Sequence, residues 1–384
     1  MREDTYAHTA LKNMFDDADV YGISPNEDRK KKPLIRLAIL GCGGVAQSKH
    51  IPAIQRLQTL WEPVELCAVC MRNQEQGKKI EQITGAKWYA DFHALLDRER
   101  PDGVLVLAAD AMHFEMTMEC LGRGIPVLVE KPICRSLRQS REMVDAAASA
   151  NVTLMTVSNK RYSPPYYRAK KWISDGTIPN PALFSGKFNL GYDYVDLLEG
   201  GTVHLFDLMR FLMGNVVSVS GLGVRKYSFN RTGYPFDNAV LQFRLESGAV
   251  GSIVTSTTAL SLHPWERVEI YAEKRWMSVE DQYRLELHDT ETGGTKVWTP
   301  VIPNTLLFDE EFGGFMGLID NFLGCIRGEE TPVVTGEDGY RAYELCVASH
   351  LAIASGKTIR LPLSPTTADA ELSEIFERAK VCFS

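Results

Sequence analysis

The feature that most constrains this chain is an apolar run, Leu34-Ile35-Arg36-Leu37-Ala38-Ile39-Leu40, that breaks abruptly into Gly41-Cys42-Gly43-Gly44-Val45-Ala46. A continuous apolar run bounded by glycine suits a strand buried on both faces of a parallel sheet. G-x-G-x-x-A between a strand and a helix has a physical reading at each position. Gly41 permits the tight turn, Gly43 lets backbone N–H groups approach a pyrophosphate, and Ala46 is small enough for close helix–strand packing. Gly44 and Val45 complete the loop, and the helix N-terminus that follows favours anionic phosphate through its dipole. Taken alone, such a turn is also a plain strand-to-helix connection, and its surroundings decide between the two. The helix after the loop reaches to about residue 60, with Pro52 marking a kink or break. Strands then read at 64–71, 87–89, 103–108, 126–129 and 152–157, separated by helices at 74–83, from 91, and at 112–121 and 137–150. Short strands alternating with helices predict a doubly wound parallel sheet with helices on both faces, an α/β Rossmann arrangement that binds a dinucleotide.

The second half changes character. Helices at 164–174 and 203–213 flank a strand at 183–188. Strands at 216–223, 239–245, 249–256, 268–271, 276–279 and 285–288 then follow with few helices between them. Glu246-Ser247-Gly248 reads as a hairpin turn. Adjacent strands of this kind predict a C-terminal α+β domain with a large, mostly antiparallel sheet. Helices return at 310–326 and 338–354, the latter opened by a capping box from Thr335 and Asp338 and closed by Gly356. The expected organisation is an extension or arm at 1–33, a dinucleotide-binding domain at 34–157, and a substrate-binding and oligomerisation domain at 158–384, comfortable for a chain of 384 residues.

Charge and cysteine usage narrow the function classes. The formal net charge is −7, and the one basic run, Arg29-Lys30-Lys31-Lys32, follows an acidic stretch and reads as a solvated linker. That balance argues against nucleic acid and anionic membrane as partners. No run is long enough for a membrane span, and the polar start Arg2-Glu3-Asp4 has no apolar core of a secretory signal, so a cytoplasmic location is expected. Eight cysteines, including Cys42, Cys67, Cys70, Cys120, Cys134, Cys325, Cys346 and Cys382, fall largely within apolar stretches, where they act as small hydrophobes. Cys67 and Cys70 spell C-x-x-C, but a strand points them to opposite faces and no second pair or close histidine pair completes a site. No metal is expected. Reduced thiols fit the cytoplasm.

The end of the second strand reports on the cofactor. An acid there bonds the ribose 2′-hydroxyl of NAD, whereas an arginine accommodates the 2′-phosphate of NADP. The chain has Met71-Arg72-Asn73. Arg72 suits a bidentate phosphate contact, so NADP(H) is favoured and NAD(H) remains possible.

About ninety residues after the glycine loop stands Val129-Glu130-Lys131-Pro132. Lys131 lies just past a parallel strand, where open α/β sheets bind ligands, and its ammonium suits hydrogen bonding to a reacting oxygen that develops negative charge. His204 suits a general acid/base because imidazole titrates near neutral pH. Asp207, three residues on along the same predicted helix, reads either as a support for His204 or as a helix-surface ion pair with Arg210. With Asp91-Phe92-His93-Ala94-Leu95-Leu96, Asp110-Ala111-Met112-His113, Asn159-Lys160-Arg161-Tyr162-Ser163-Pro164 and Gly200-Gly201-Thr202-Val203-His204-Leu205-Phe206-Asp207-Leu208, the E-K-P segment resembles the glucose–fructose oxidoreductase/inositol dehydrogenase (Gfo/Idh/MocA) family over about residues 34–363.

That resemblance implies an NAD(P)-dependent oxidoreductase moving a hydride to or from a hydroxyl or carbonyl carbon of a sugar, cyclitol or related polyol. It implies Lys131, His204 and Asp207 at the chemistry and Ala108, His113, Glu130 and Lys131 beside the cofactor. His113 has a second reading as a helix-start cap. A homodimer or homotetramer is implied through the antiparallel sheet. Two positions depart from the family pattern. The aspartate that many members carry four residues before the histidine is Gly200, with Glu199 and Asp196 nearby on a different backbone path. Ala108-Ala109 replaces the usual Thr-Pro. Tyr162, Tyr192 and Tyr194 are candidates to line a pocket or to pack in a core. Two other readings stay open from the same fold: a redox-assisted glycosidase that holds its nicotinamide permanently, and a non-catalytic cofactor-binding protein.

Overall fold

Six short strands, β1 (Ile35–Leu40), β2 (Val64–Cys70), β3 (Lys87–Tyr89), β4 (Gly103–Val106), β5 (Val127–Val129) and β6 (Leu154–Thr156), pair in the order β3-β2-β1-β4-β5-β6. Every pairing in this sheet is parallel. The structure is a computed structural model that describes residues 27–191, 195–226, 233–257, 264–298 and 313–381. The readings made above for residues 1–26, Tyr192, Tyr194 and Cys382 lie outside the described residues. β4, β5 and β6 are buried along their whole length, which is why their sequences run apolar without alternation. Strand order reverses between β1 and β4, the switch point at which open sheets of this topology leave a crevice beyond their carboxyl ends.

Local sequence explains the helices around the sheet. Asn73 caps Gln74–Thr84 by accepting from Gln76 N at 3.0 Å, and Asp91 caps Phe92–Glu99 by accepting from Ala94 N at 2.7 Å. After the glycine loop the chain is helical over 44–59, and Pro52 does not break it. A wide turn at Ala46–His50 precedes Pro52, the Ile51 N–H reaches Ala46 O, and the proline falls in the first turn of Ile51–Thr59, where a missing N–H costs least.

The described chain forms two compact units, each discontinuous in sequence. The first comprises 27–135, 139–164 and 313–339, and the second comprises 136–138, 165–298 where described, and 340–381. In the first, Leu37, Ile39, Leu105 and Leu128 of the sheet pack with Ile54 and Leu57 and with Ile319, Phe322 and Leu323 of the helix Phe315–Ile326. The sequence reading had placed that helix in the second domain. Its apolar stripe fills the core of the first. At the edge of this core Glu62 is fully buried, and its carboxylate binds Arg29 at 2.6 Å and Arg327 at 2.6 Å. Arg29 also meets Asp320 at 2.8 Å. Arg29 is therefore not part of a solvated linker. A buried carboxylate needs cationic partners, and this one draws the guanidinium in.

The second unit holds a nine-stranded sheet, β7 (Leu183–Asn189), β8 (Val216–Val224), β9 (Asn238–Leu245), β10 (Val250–Ser256), β11 (Glu266–Tyr271), β12 (Arg275–Glu280), β13 (Arg284–Asp289), β14 (Gly294–Trp298) and β15 (Ile359–Arg360), in the order β14-β13-β12-β11-β7-β10-β9-β8-β15. The β7–β10 pair is parallel and the remaining pairs are antiparallel. β9 alternates buried and exposed residues along its length, the mark of a sheet packed on one face. The described chain also has the helices His113–Gly122, Leu137–Ala150, Pro164–Ser174, Val203–Met213, Gly336–Ser355 and Pro365–Val381. At Gly336–Ser355 the capping box forms: Thr335 Oγ1 accepts from Asp338 N at 3.1 Å, and the Asp338 carboxylate accepts from Thr335 N at 3.0 Å.

Candidate active site

The carboxyl edge of the parallel sheet is assembled from three strand ends. Gly41 ends β1 with φ +89°, and a Cβ there would lie 2.2 Å from the Ala108 Cα. The turn is tight enough, and the backbone after β4 close enough, that only glycine fits. Gly43 and Gly44 are different. Both are exposed, and a Cβ on either would meet nothing within 4 Å. The protein's own packing does not require these two glycines. The bare space over the start of a helix fits a phosphate approaching backbone N–H groups. Val45 is about half exposed, Ala46 is buried, and Gln47 fixes the loop by donating from its side chain to Cys42 O at 2.8 Å. Burial pushes the thiols of Cys42, Cys67 and Cys70 up to about 11, so they remain neutral core groups.

At the end of β5 the Lys131–Pro132 peptide is cis. The Lys131 N–H donates to the Glu130 carboxylate at 2.7 Å, and the other Glu130 oxygen stands 3.6 Å from His50 Nε2. Burial acts to raise the Glu130 pKa, but His50 and the Lys131 ammonium and amide outweigh it and hold the carboxyl below its ordinary value. His50 is fully buried on the wide turn after the glycine loop, edge-on to Phe315 with ring centroids 5.1 Å apart. Sequence reasoning did not single it out. A lone histidine ahead of Ile51-Pro52 reads as core, and nothing in the sequence pairs it with a glutamate eighty residues away.

His113 ties this edge together. It is fully buried, with Nδ1 2.9 Å from Pro132 O and Nε2 3.1 Å from Ala108 O. One imidazole thus lies between the carbonyls that follow β4 and β5, and the single N–H of a neutral ring donates to one of them. It makes no cap for its helix, and its neighbour Asp110 is engaged by Arg135 at 2.9 Å. Ala108 accordingly touches both the Gly41 turn and His113. Arg72 is exposed in the bend after β2, beside the capping Asn73.

In the second unit, His204 is the second residue of the helix Val203–Met213. Within 201–209 every side chain is buried except His204, which is partly exposed. Its ring lies 6.5 Å from that of Phe188. Asp207 is on the same helix and buried, so it is not a solvent-facing residue. Gly200, where many family members carry an aspartate, is closely packed: a Cβ there would stand 2.2 Å from Val195 Cγ2, so Val195 would have to move to admit a side chain. Asp196 instead caps the segment Leu197–Thr202, accepting from Leu198 N at 2.8 Å and Glu199 N at 3.0 Å. Tyr162 is committed to the first unit's core, where its hydroxyl donates to Asn321 Oδ1 at 2.8 Å.

A glycine turn packed on the neighbouring strand, with bare glycines over a helix start, is the arrangement that dinucleotide-binding open α/β sheets share. Comparison with known proteins supplies the family. Residues 35–158 match the family described as "Oxidoreductase family, NAD-binding Rossmann fold", and residues 198–361 match its "C-terminal alpha/beta domain". The chain is 26% identical to the D-apiose dehydrogenase of Paraburkholderia graminis over 344 residues, covering 84% of this chain and 89% of that one. It is 24% identical to the myo-inositol 2-dehydrogenase of Thermotoga maritima over 343 residues, covering 85% and 98%. A similar fold occurs in an oxidoreductase from Agrobacterium radiobacter solved with NAD+, L-tartaric acid and magnesium, at a TM-score of 0.75 and 20% identity, covering 85% and 98%. The chain belongs to the Gfo/Idh/MocA family of oxidoreductases, with an NAD-binding Rossmann fold. Among the described residues no helix is long and apolar enough to cross a membrane.

Proposed function

We propose that this enzyme is a dehydrogenase or reductase acting on a CH–OH carbon of a sugar, cyclitol or related polyol, with Lys131 and His204 as catalytic residues. The observation that carries the reading is the packing of His113 between Pro132 O and Ala108 O. It fixes the Lys131–Pro132 turn to the same backbone, at Ala108, that closes over the Gly41 turn. The lysine is thereby held to the edge that seats the dinucleotide. The nicotinamide, when bound, accepts or supplies the hydride. Lys131 donates a hydrogen bond to the substrate oxygen and stabilises its developing charge. His204 takes the hydroxyl proton in oxidation and returns it in reduction. Asp207, buried on the same helix, supports His204. The names of the apiose and inositol dehydrogenases support a polyol substrate.

Arg72 supports NADP(H) over NAD(H), because the position carries a guanidinium and no acid. The open face of the second sheet supports a homodimer or homotetramer. Leu222 of β8 pairs with Val240 of β9, and Val240 with Val254 of β10. These three are 77%, 47% and 52% exposed and form one apolar row, the kind of surface that another subunit covers.

The test begins with fluorescence titrations of NADPH and NADH against the wild type and Arg72→Ala. Tighter NADPH binding that the variant weakens about tenfold, with NADH unaffected, is expected. Equal NADH preference in both proteins would remove the Arg72 assignment. A panel of inositols, aldoses and keto-sugars then follows, in which Lys131→Ala and His204→Ala lower kcat by about 100-fold or more while dinucleotide affinity persists. Tightly retained cofactor with no net turnover of it would favour the redox-assisted glycosidase.

A further inference from the structure

The segment that presents His204 is built around a buried carboxylate. Asp196 and His350 are both fully buried, and His350 Nε2 lies 3.0 Å from Asp196 Oδ1, the oxygen that also accepts from the Leu198 and Glu199 amides. His350, on the helix Gly336–Ser355, is stacked against Phe236 with centroids 5.7 Å apart and tilted toward Phe376 at 5.2 Å. From Asp196 the chain runs through the wide turn Leu197–Thr202 directly into the helix Val203–Met213. The far end of the turn is pinned separately. Thr202 Oγ1 donates to Leu197 O at 2.9 Å and is 2.8 Å from Thr255 Oγ1 on β10.

We propose that the Asp196–His350 pair is a positioning device for His204, supplying from below the turn the anchoring that a glycine at position 200 does not. Three observations lead there. Position 200 is a glycine closely packed by Val195, so no side chain at that position orients the histidine. A neutral serine or asparagine would cap the Leu198 and Glu199 amides as well as aspartate does, so the cap alone does not call for a carboxylate bonded to a buried imidazole. Asp196 Oδ2 and His350 Nδ1 are buried without a hydrogen-bond partner among the described residues. The pair is therefore costly to bury, and its geometry rests on one shared oxygen. Wide turns of this kind recur at functional sites. This one ends two residues before the histidine.

The proposal rests on His204 being the acid/base, and the experiment separates the two. Full-length protein labelled with 15N-histidine gives imidazole nitrogen signals, and His204→Gln assigns that of His204 by its disappearance. In His350→Leu, which strands the Asp196 carboxylate, the His204 signals are expected to shift or split. In His350→Gln, which restores a donor to Asp196, they are expected to return most of the way. Asp196→Asn keeps an amide-capping oxygen and loses the charge, and gives a second folded variant if the leucine one does not accumulate; there too the His204 signals are expected to move. Unchanged His204 signals in a folded His350→Leu or Asp196→Asn protein would overturn the proposal. Full polyol turnover by His204→Gln would instead overturn the acid/base reading and leave the positioning result standing.

Discussion

Glycines at the dinucleotide edge differ in what they answer to. Gly41 has positive φ and faces the Ala108 backbone at contact distance, whereas Gly43 faces open space. Gly41→Ala is therefore expected to destabilise the fold by roughly 2–5 kcal/mol through strain and overpacking. Gly43→Ala is expected to leave thermal stability within about 0.5 kcal/mol of wild type and to weaken dinucleotide binding about tenfold or more by pushing the phosphate off the amides. Urea unfolding alongside NADPH titration checks both. A Gly41→Ala protein as stable as wild type would contradict the close approach. The glycine pattern was legible in the sequence because spacing alone encodes it. The roles of His50 and His113 were not. His50 meets Glu130 only because the sheet sets β1 two strands from β5, and the ring nitrogens of His113 face carbonyls on different loops. Such pairings depend on tertiary geometry that no local pattern records.

The apolar strands of the parallel sheet and the helix opened by a capping box were read from sequence, whereas Gly294–Trp298, Ile359–Arg360 and the helix Pro365–Val381 were missed. Thr335 and Asp338 announce their helix, and both reciprocal bonds form. β14 is Gly-Thr-Lys-Val-Trp, mostly exposed, and carries no apolar alternation to mark it as a strand. The wide turns at Ala46–His50 and Leu197–Thr202 have no sequence signature, since the first interrupts a helical run and the second leads straight into one. The second of these has a consequence for stability. Burial opposes ionisation of Asp196, but His350 and the two amides outweigh it and hold its carboxyl below the ordinary value near 3.8. Burial likewise opposes His350, and Asp196 outweighs it, raising the imidazole above its ordinary value near 6.5. The Asp196 contribution is thus present above pH 3.8 and lost as pH falls through its folded value. That of His350 is complete below pH 6.5 and lost as pH rises through its folded value. The Tm gap between wild type and His350→Gln should be widest between these limits and should close toward alkaline pH. Thermal unfolding in buffers from acid to alkaline checks this, and a gap independent of pH would show that the pair is not ionised.

At the scale of the molecule, fold class was the most legible property, because sheet type follows from the spacing of strands and helices along the chain. The assembly is the least legible, since it depends on one face of one sheet. If the Leu222–Val240–Val254 row is covered by a second copy, Val240→Glu should convert the oligomer to monomer in sedimentation velocity, with unfolding midpoint and dinucleotide affinity little changed. A wild-type chain that already sediments as a monomer would remove that assignment. The helix Phe315–Ile326 has a different kind of consequence. Its Ile319, Phe322 and Leu323 belong to the core of the parallel sheet, yet the ribosome delivers them about 150 residues after the end of 139–164. At ordinary elongation rates, that is a delay of roughly 8–30 s. Throughout it a nascent chain carries a nucleotide-binding sheet with an unfilled apolar seam, open to chaperones. No truncation that ends before this helix can be expected to yield a free-standing cofactor domain.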